Sequence, residues 1–278
     1  MSRKPGFYPD VPAEEYHEGL QQDPRPLSST LAKDLLRKLP AEAKWALEHG
    51  EHKAAYDEGR AIHELILEGD LKTIVELPFD SWRTKASQEA KADAYLDGLT
   101  PMLPRDLDPI RHLAATVRAN PDVNALVTSG GQAELSALAT IDGVPVQARY
   151  DYLRLPDDAH KGFILDLKTV ARSANPRDFM RNAASYGYHI QAAFYQMVLE
   201  ALGYSDVPFF WLVVSKQEPH AHSIIQASSE DLQVGRDLAY RALEIWESIL
   251  KDGWPTSTPI TQSALPAWIL YEAMEQAL

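Results

Sequence analysis

The chain of 278 residues contains no cysteine, so neither a disulfide nor a zinc–thiolate centre can form within it. No apolar run approaches the roughly 20 residues that a membrane-spanning helix needs, and the N-terminus does not read as a secretory signal. A G-x-x-x-x-G-K-[ST] loop is absent, which excludes an ATP-driven motor built on that motif. Cations are in deficit: 27 Lys and Arg face 40 Asp and Glu, for a net charge of −13. Most nucleic-acid binders are basic overall, so a polyanionic ligand would have to be met here by local clusters of cations. Repeats and low-complexity tracts are also missing. What remains is a length sufficient for one large domain with a proper core.

The most informative stretch is Phe163-Ile164-Leu165-Asp166-Leu167-Lys168-Thr169-Val170. Its apolar, β-branched character predicts a buried strand, yet it carries two opposite charges. Side chains alternate along a strand, so Asp166 and Lys168 share one face while Phe163, Leu165 and Leu167 form core on the other. Buried charges are costly unless they are paired or coordinate a metal. A structural ion pair is one outcome. The other is the D-x-K arrangement of a metal-dependent phosphodiesterase, with a carboxylate for the cation and an ammonium for the nucleophile or phosphate.

Upstream, Asp142-Gly143 lies between alternating apolar runs and predicts a two-residue type I′ hairpin turn. Ile141 then pairs with Val144, and counting outward sets Glu134 opposite Asp151, with Cβ atoms about 5 Å apart on one face. Like charges so placed destabilise a sheet, and a hard divalent cation would relieve them. The alternative is a slipped register or a solvated Glu134 at an edge. The next strand returns after residues 156–162 and brings Asp166 alongside Asp151.

Residues 57–67 predict a helix with Ile62, Leu65 and Ile66 on its buried stripe, and with Arg60 and His63 one turn apart at its polar edge. Asn175-Pro176 is a helix start, Asn as N-cap and Pro in the first turn. A further helix over about 187–202 stacks Gln191 and Tyr195 on one face at i, i+4. Other helices are expected at about 29–39, 41–49, 86–97, 107–119, 122–127 and 229–251. Strands are expected at 132–140, 144–155, 162–170, 209–215 and 221–226, with a short one within 71–77. Residues 1–26 read as an extended arm or part of an interface, 27–258 as the domain, and 259–278 as a tail with a helix from about 267. Arg60, Arg83, Lys85, Arg149, Lys168, Arg172, Arg177 and Arg181 are the candidate local cations, set against solvated surface charge.

The ordered set Gly59-x-x-x-His63, Asp151, Asp166-x-Lys168 and Gln191-x-x-x-Tyr195 resembles the PD-(D/E)xK nucleases of the RecB type. Longer phrases are similar to the exonuclease VIII (RecE) C-terminal nuclease and its phage relatives. They are Tyr16-His17, Leu27-Ser28-Ser29-Thr30-Leu31, Gly59 to Leu65, and Tyr186-Gly187-Tyr188-His189-x-Gln191-Ala192-Ala193-x-Tyr195. The resemblance implies an α/β (α+β) fold, a central mixed sheet of about five strands flanked by helices. It implies a metal site of His63, Asp151, Asp166 and the Leu167 carbonyl, with Glu134 in support and Mg²⁺ or Mn²⁺ as cofactor. Lys168 would position or activate the attacking water, and Gln191 and Tyr195 would sit by the DNA, as would Arg60, Arg149 and Arg172. Tyr150 stands where the family usually has proline, which implies altered local geometry rather than lost chemistry. The lack of cysteine excludes the four-cysteine iron–sulfur cluster of some RecB-like relatives.

The implied activity is metal-dependent hydrolysis of linear double-stranded DNA, 5′→3′, leaving 3′ single strands for a RecT-like annealing protein. A homo-oligomeric ring, such as a tetramer, and a cytoplasmic place in a bacterial or phage-infected cell go with it. A RecB-like endonuclease, a single-strand exonuclease, and a catalytically silent DNA-end-binding module are the competing expectations.

Overall fold

The computed structural model describes residues 3–49 and 54–256; the expected tail helix lies outside them. The elements run β1 (Gly6–Tyr8), α1 (Ala13–His17), β2 (Leu27–Ser28), α2 (Ser29–Arg37), α3 (Pro40–Glu48) and α4 (Ala54–His63). They continue with β3 (Ile74–Glu76), α5 (Lys85–Leu96), β4 (Thr100–Met102), α6 (Pro104–Arg118) and α7 (Pro121–Val127). The hairpin β5 (Gln132–Ile141) and β6 (Val144–Arg154) follows, then β7 (Phe163–Val170), α8 (Pro176–Tyr186) and α9 (Tyr188–Ala201). The described chain closes with β8 (Phe209–Ser215), β9 (His222–Gln226) and α10 (Ser229–Asp252). Side-chain caps start the helices where the sequence offers them: Ser28, Thr84, Asn175 and Ser228 each accept a backbone N–H of the following turn.

The central sheet is mixed and has seven strands, in the order β1-β5-β6-β7-β8-β9, with β2 on β6. About five were expected. The two additions, β1 and β2, are three and two residues long, too short to show a period-2 pattern. The 11 residues of β6 serve two neighbours beyond β5: Val146 and Gln147 pair with β2, and Tyr152 to Arg154 pair with β7. β7 and β8 run parallel, joined by α8 and α9 as a parallel pair requires. The short strand expected within 71–77 is β3, and its partner is β4, outside the main sheet.

Two hydrophobic cores cover the two faces. One joins α2, α9 and α10 to Ile164, Trp211, Val213 and the Val146–Tyr150 half of β6. The other joins α4, α6 and α7 to Phe163, Leu165, Leu167, Leu212 and Val214. Phe163, Leu165 and Leu167 are thus core, as alternation predicts. The hairpin also turns as expected: Asp142 and Gly143 both have positive φ, at 49° and 86°, and Ile141 pairs with Val144.

The 57–67 helix departs from expectation. α4 ends at His63 and the chain runs on as a π-turn, Glu64–Glu68. The wider turn changes the phase of the buried face: Leu65 is only half-buried, whereas Glu64 and Leu67 are buried. Buried Glu64 accepts the backbone N–H of Lys72 at 2.6 Å and of Thr73 at 3.1 Å, so its charge closes the following loop.

α10 packs against the start of α9 at Gly235, where a Cβ would lie 2.2 Å from the His189 carbonyl oxygen and 2.9 Å from the Ala193 Cβ. Gly235→Ala is therefore expected to force the two helices apart and to destabilise the fold by about 1–3 kcal/mol. Urea denaturation checks this. An unchanged midpoint would mean that the helices do not depend on this close approach.

Candidate functional site

Asp166 stands in the middle of β7 and is completely buried. Its Oδ2 lies 2.5 Å from Lys168 Nζ, the partner that a buried carboxylate requires. Its Oδ1 accepts a 2.9 Å hydrogen bond from Gln191 Nε2 on α9. Lys168 sits under the Tyr188 ring, 5.1 Å from its centroid, a cation–π contact that shields one side of the ammonium. Burial disfavours the charge on Lys168, but Asp166 and Asp151 outweigh it and hold the lysine above its ordinary pKa. It is therefore a cation at neutral pH.

Register continued outward from Tyr152 and Leu165 puts Asp151 alongside Asp166, as the sequence predicts, and the Leu167 N–H donates to Asp151 Oδ2 at 2.8 Å. Glu134 falls opposite Asp151 by count, since Leu135 pairs with Tyr150 and Ala133 with Tyr152. It does not face Asp151 as an ordinary ladder pair, however. Glu134 has φ 51°, in the left-handed region, which glutamate seldom occupies. The strands exchange faces at this point: Leu135 and Tyr150 belong to one core, while Ala133 and Tyr152 pack with the other. That rotation lets the Glu134 carboxylate meet Arg149 Nε at 2.6 Å while approaching His63.

His63, at the end of α4, completes the group. Its Nδ1 is 3.7 Å from Asp151 Oδ2 and 3.8 Å from Glu134 Oε1, too long for direct hydrogen bonds. One donor atom from each of the three residues lies within 4.8 Å of the others. Burial works against the imidazolium, yet Asp151 and Glu134 together raise the pKa of His63. Burial, followed by the neighbouring Asp166 charge, pushes Asp151 up to about 6. Glu134 is held below the usual carboxylate range despite its burial, and we assign this chiefly to Arg149 at 2.6 Å because His63 stands too far off.

Two carboxylates and an imidazole crowded this closely, one carboxylate reluctant to ionise, form a donor set that suits a divalent cation of the Mg²⁺ or Mn²⁺ class. His63, Glu134 and Asp151 would hold it. Glu134, expected only in support, is part of this cluster; Asp166 lies beside it, with Gln191 at one of its oxygens and Lys168 at the other.

Several expected DNA contacts have other partners. Gln191 and Tyr195 are buried: Gln191 orients Asp166, and the Tyr195 carbonyl accepts the Tyr150 hydroxyl at 3.0 Å. Both side chains are enclosed in this structure, and Gln191 is held by Asp166. Tyr150, in the place of the family's proline, thus ties β6 to α9. Arg149 is committed to Glu134 and to the Val11 carbonyl at 2.7 Å. Arg60 donates to Thr100 Oγ1 at 3.2 Å and lies 3.9 Å from Glu14. Arg172, Arg177 and Arg181 are exposed on the segment that follows β7. Lys33 on α2 escaped the sequence reading; burial first, and then Lys168 close by, lower its pKa to about 8. No local pattern marks it, because its neighbours come from β7, more than 130 residues downstream. The larger of the two described clefts, about 510 Å³, is lined by Trp82, Tyr95, Lys216 and His220 among others and by none of the acidic site residues.

A mixed sheet between helical layers, with Asp166-x-Lys168 on a central strand and a second acid on the neighbouring one, defines a PD-(D/E)xK-type fold. The chain belongs to the family described as PDDEXK-like domain of unknown function (DUF3799), whose model matches residues 28–259. Among solved structures, it is similar to a "putative exonuclease" from Eubacterium rectale. That likeness has 15% identity and a TM-score of 0.62, and covers 94% of this chain and 98% of the other; at that identity it speaks for the fold alone. The structure of SSO0001 is more distant, at 12% identity and a TM-score of 0.28 over 71% of this chain and 88% of that one, and carries no argument. The chain matches no curated protein sequence.

The raised pKa of Asp151 makes a prediction about stability. A carboxylate with a folded pKa near 6 and an unfolded pKa near 3.8 binds more proton when folded, so the stability it contributes falls as pH rises from about 4 to 6. At pH 7 the ionised form is a liability that a cation would relieve. Asp151→Asn is therefore expected to raise the melting temperature of the metal-free protein at pH 7 and to abolish most of the stabilisation by Mn²⁺. A lower melting temperature with the Mn²⁺ effect intact would show that Asp151 is not part of a metal site.

Proposed function

We propose that this protein is a metal-dependent deoxyribonuclease, an exonuclease that hydrolyses linear double-stranded DNA in the 5′→3′ direction and leaves 3′ single strands. The observation that carries the reading is the convergence of His63, Glu134 and Asp151 on one side of the buried Asp166–Lys168 pair. The ordered motifs that resemble the RecE-type nucleases favour the exonucleolytic form and its polarity. The described likeness of the Eubacterium rectale protein agrees with the exonuclease class. An oligomeric ring on DNA, a RecT-like annealing partner and a cytoplasmic place of action belong to the same proposal. Among the described residues no helix is long and apolar enough to cross a membrane.

The chemistry asked of the chain is in-line displacement: a water oxygen bonds to phosphorus, the bond to the 3′ oxygen breaks, and that oxygen takes up a proton. A divalent ion held by His63, Glu134 and Asp151, with Asp166 or the Leu167 carbonyl as further oxygens, would lower the pKa of bound water and offset the phosphate charge. Lys168, cationic and half-shielded by Tyr188, would hold the attacking water or the non-bridging oxygen and stabilise the added negative charge. Gln191 keeps Asp166, and through it Lys168, in place. Lys33, whose pKa burial and the Lys168 charge lower, would add a second ammonium near Lys168. Because imidazole suits Mn²⁺ better than Mg²⁺, Mn²⁺ is expected to support activity at least as well; activity in Mg²⁺ but none in Mn²⁺ would remove His63 from the ligand set.

Digestion of a 5′-labelled linear duplex beside a closed circular control tests the proposal. Released labelled mononucleotide with an intact circle is expected. Nicked circles would indicate an endonuclease, and no cleavage of either DNA a silent end-binding module. Lys168→Ala is expected to lower the rate at least about a hundredfold to a thousandfold while circular dichroism stays unchanged; normal cleavage would place the active site elsewhere. Gln191→Ala separates support from contact. It is expected to lower kcat by about ten- to a hundredfold with DNA affinity unaltered, whereas a selective loss of affinity would restore Gln191 to the DNA surface.

A further inference from the structure

A second group of donors lies apart from the Asp166–Lys168 site. His112 comes from α6, and Glu218 and His220 from the turn between β8 and β9. One donor atom of each lies within 4.8 Å of the others. Glu218 Oε1 is 3.4 Å from His112 Nε2 and 3.3 Å from His220 Nε2. Two ligand atoms bound to one tetrahedral ion at about 2.0–2.1 Å are separated by about 3.3–3.4 Å. Both Glu218 separations match that edge before any ion is added.

The environment of His220 is the independent observation. Its side chain is more than nine-tenths buried, and its Nδ1 lies 3.4 Å from the Ser215 carbonyl oxygen. A carbonyl facing Nδ1 accepts a proton carried there and, with an ion at Nε2, gives the usual setting of a metal-bound imidazole. That Nε2 is the atom aimed at Glu218. The rings of His112 and His220 meet edge to face, 5.6 Å between centroids, which orients the outer imidazole without consuming its Nε2. As an ion-pair network alone the arrangement would be weak, because His112 and Glu218 are exposed and surface pairs contribute little.

We propose that His112, Glu218 and His220 form a Zn²⁺ site, separate in every residue from the acidic cluster. Two imidazoles and one carboxylate are a familiar zinc donor set, with the fourth position left to water or a small ligand. The ion would fasten the β8–β9 turn to α6. It would thereby join the edge of the sheet to the helical layer that packs behind Leu165 and Leu167. The site does not depend on the nuclease reading.

Zinc alone, titrated calorimetrically into the Asp151→Asn protein, tests the proposal with the acidic cluster disabled. One equivalent of Zn²⁺ is expected to bind and to raise the melting temperature. His112→Ala, at an exposed position that the fold tolerates, is expected to weaken that binding at least tenfold and to remove the thermal shift, with the metal-free melting temperature unchanged. His220→Ala should do the same to binding. Absence of the equivalent in Asp151→Asn protein, or zinc affinity undiminished by His112→Ala, would overturn the assignment. Neither result bears on DNA cleavage, so failure here and failure of the nuclease proposal remain distinguishable.

Discussion

The buried carboxylate–ammonium pair of Asp166 and Lys168 is the constraint on which the rest of the site depends. An unpaired charge at the centre of β7 would cost several kcal/mol, so the surrounding elements are arranged to leave neither partner without company. Gln191 takes one oxygen of Asp166, Tyr188 covers Lys168, and Tyr150 ties the backbone of α9 to β6. α10 can press on α9 because Gly235 has no side chain to interfere. The polar pair and the close approach of α10 thus meet on one helix, α9.

Beside that pair, the fold assembles a group of charges that do not all tolerate one another. Asp151 is pushed toward its neutral form, His63 toward its charged form, and Glu134 is kept ionised by Arg149. Such mutual tension is typical of sites built to bind or transform rather than to stabilise. The left-handed backbone at Glu134 belongs to the same pattern, since strain of this kind persists only where surrounding contacts enforce it.

Much of this was legible in the sequence because it depends on counting. The Asp-Gly turn fixes the β5–β6 register, alternation assigns the faces of β7, and capping residues mark the helix starts. Features without a periodic signal were not legible. The π-turn after His63 alters the phase of α4 without altering composition, so Leu65 is only half-buried where burial was expected, and Leu67 is buried. Nothing in an alternating strand announces that Glu134 will adopt positive φ. Spacing also showed that Gln191 and Tyr195 share a helix face, but not that the face lies against Asp166. Lys33 and the three zinc-site donors meet through tertiary packing, with each group drawn from distant parts of the chain.

The bond from Arg149 to the Val11 carbonyl has a consequence for where the functional unit begins. The family match starts at residue 28, and a boundary drawn there would look natural. It would nevertheless remove β1 from the sheet edge and Val11 from Arg149. It would also remove Tyr16, whose carbonyl accepts Gln147. Arg149 would then be free to swing, and with it the anchor that orients Glu134 toward His63. Residues 3–26 are in effect a brace for the acidic cluster, so the folded unit around that cluster is longer than the family match.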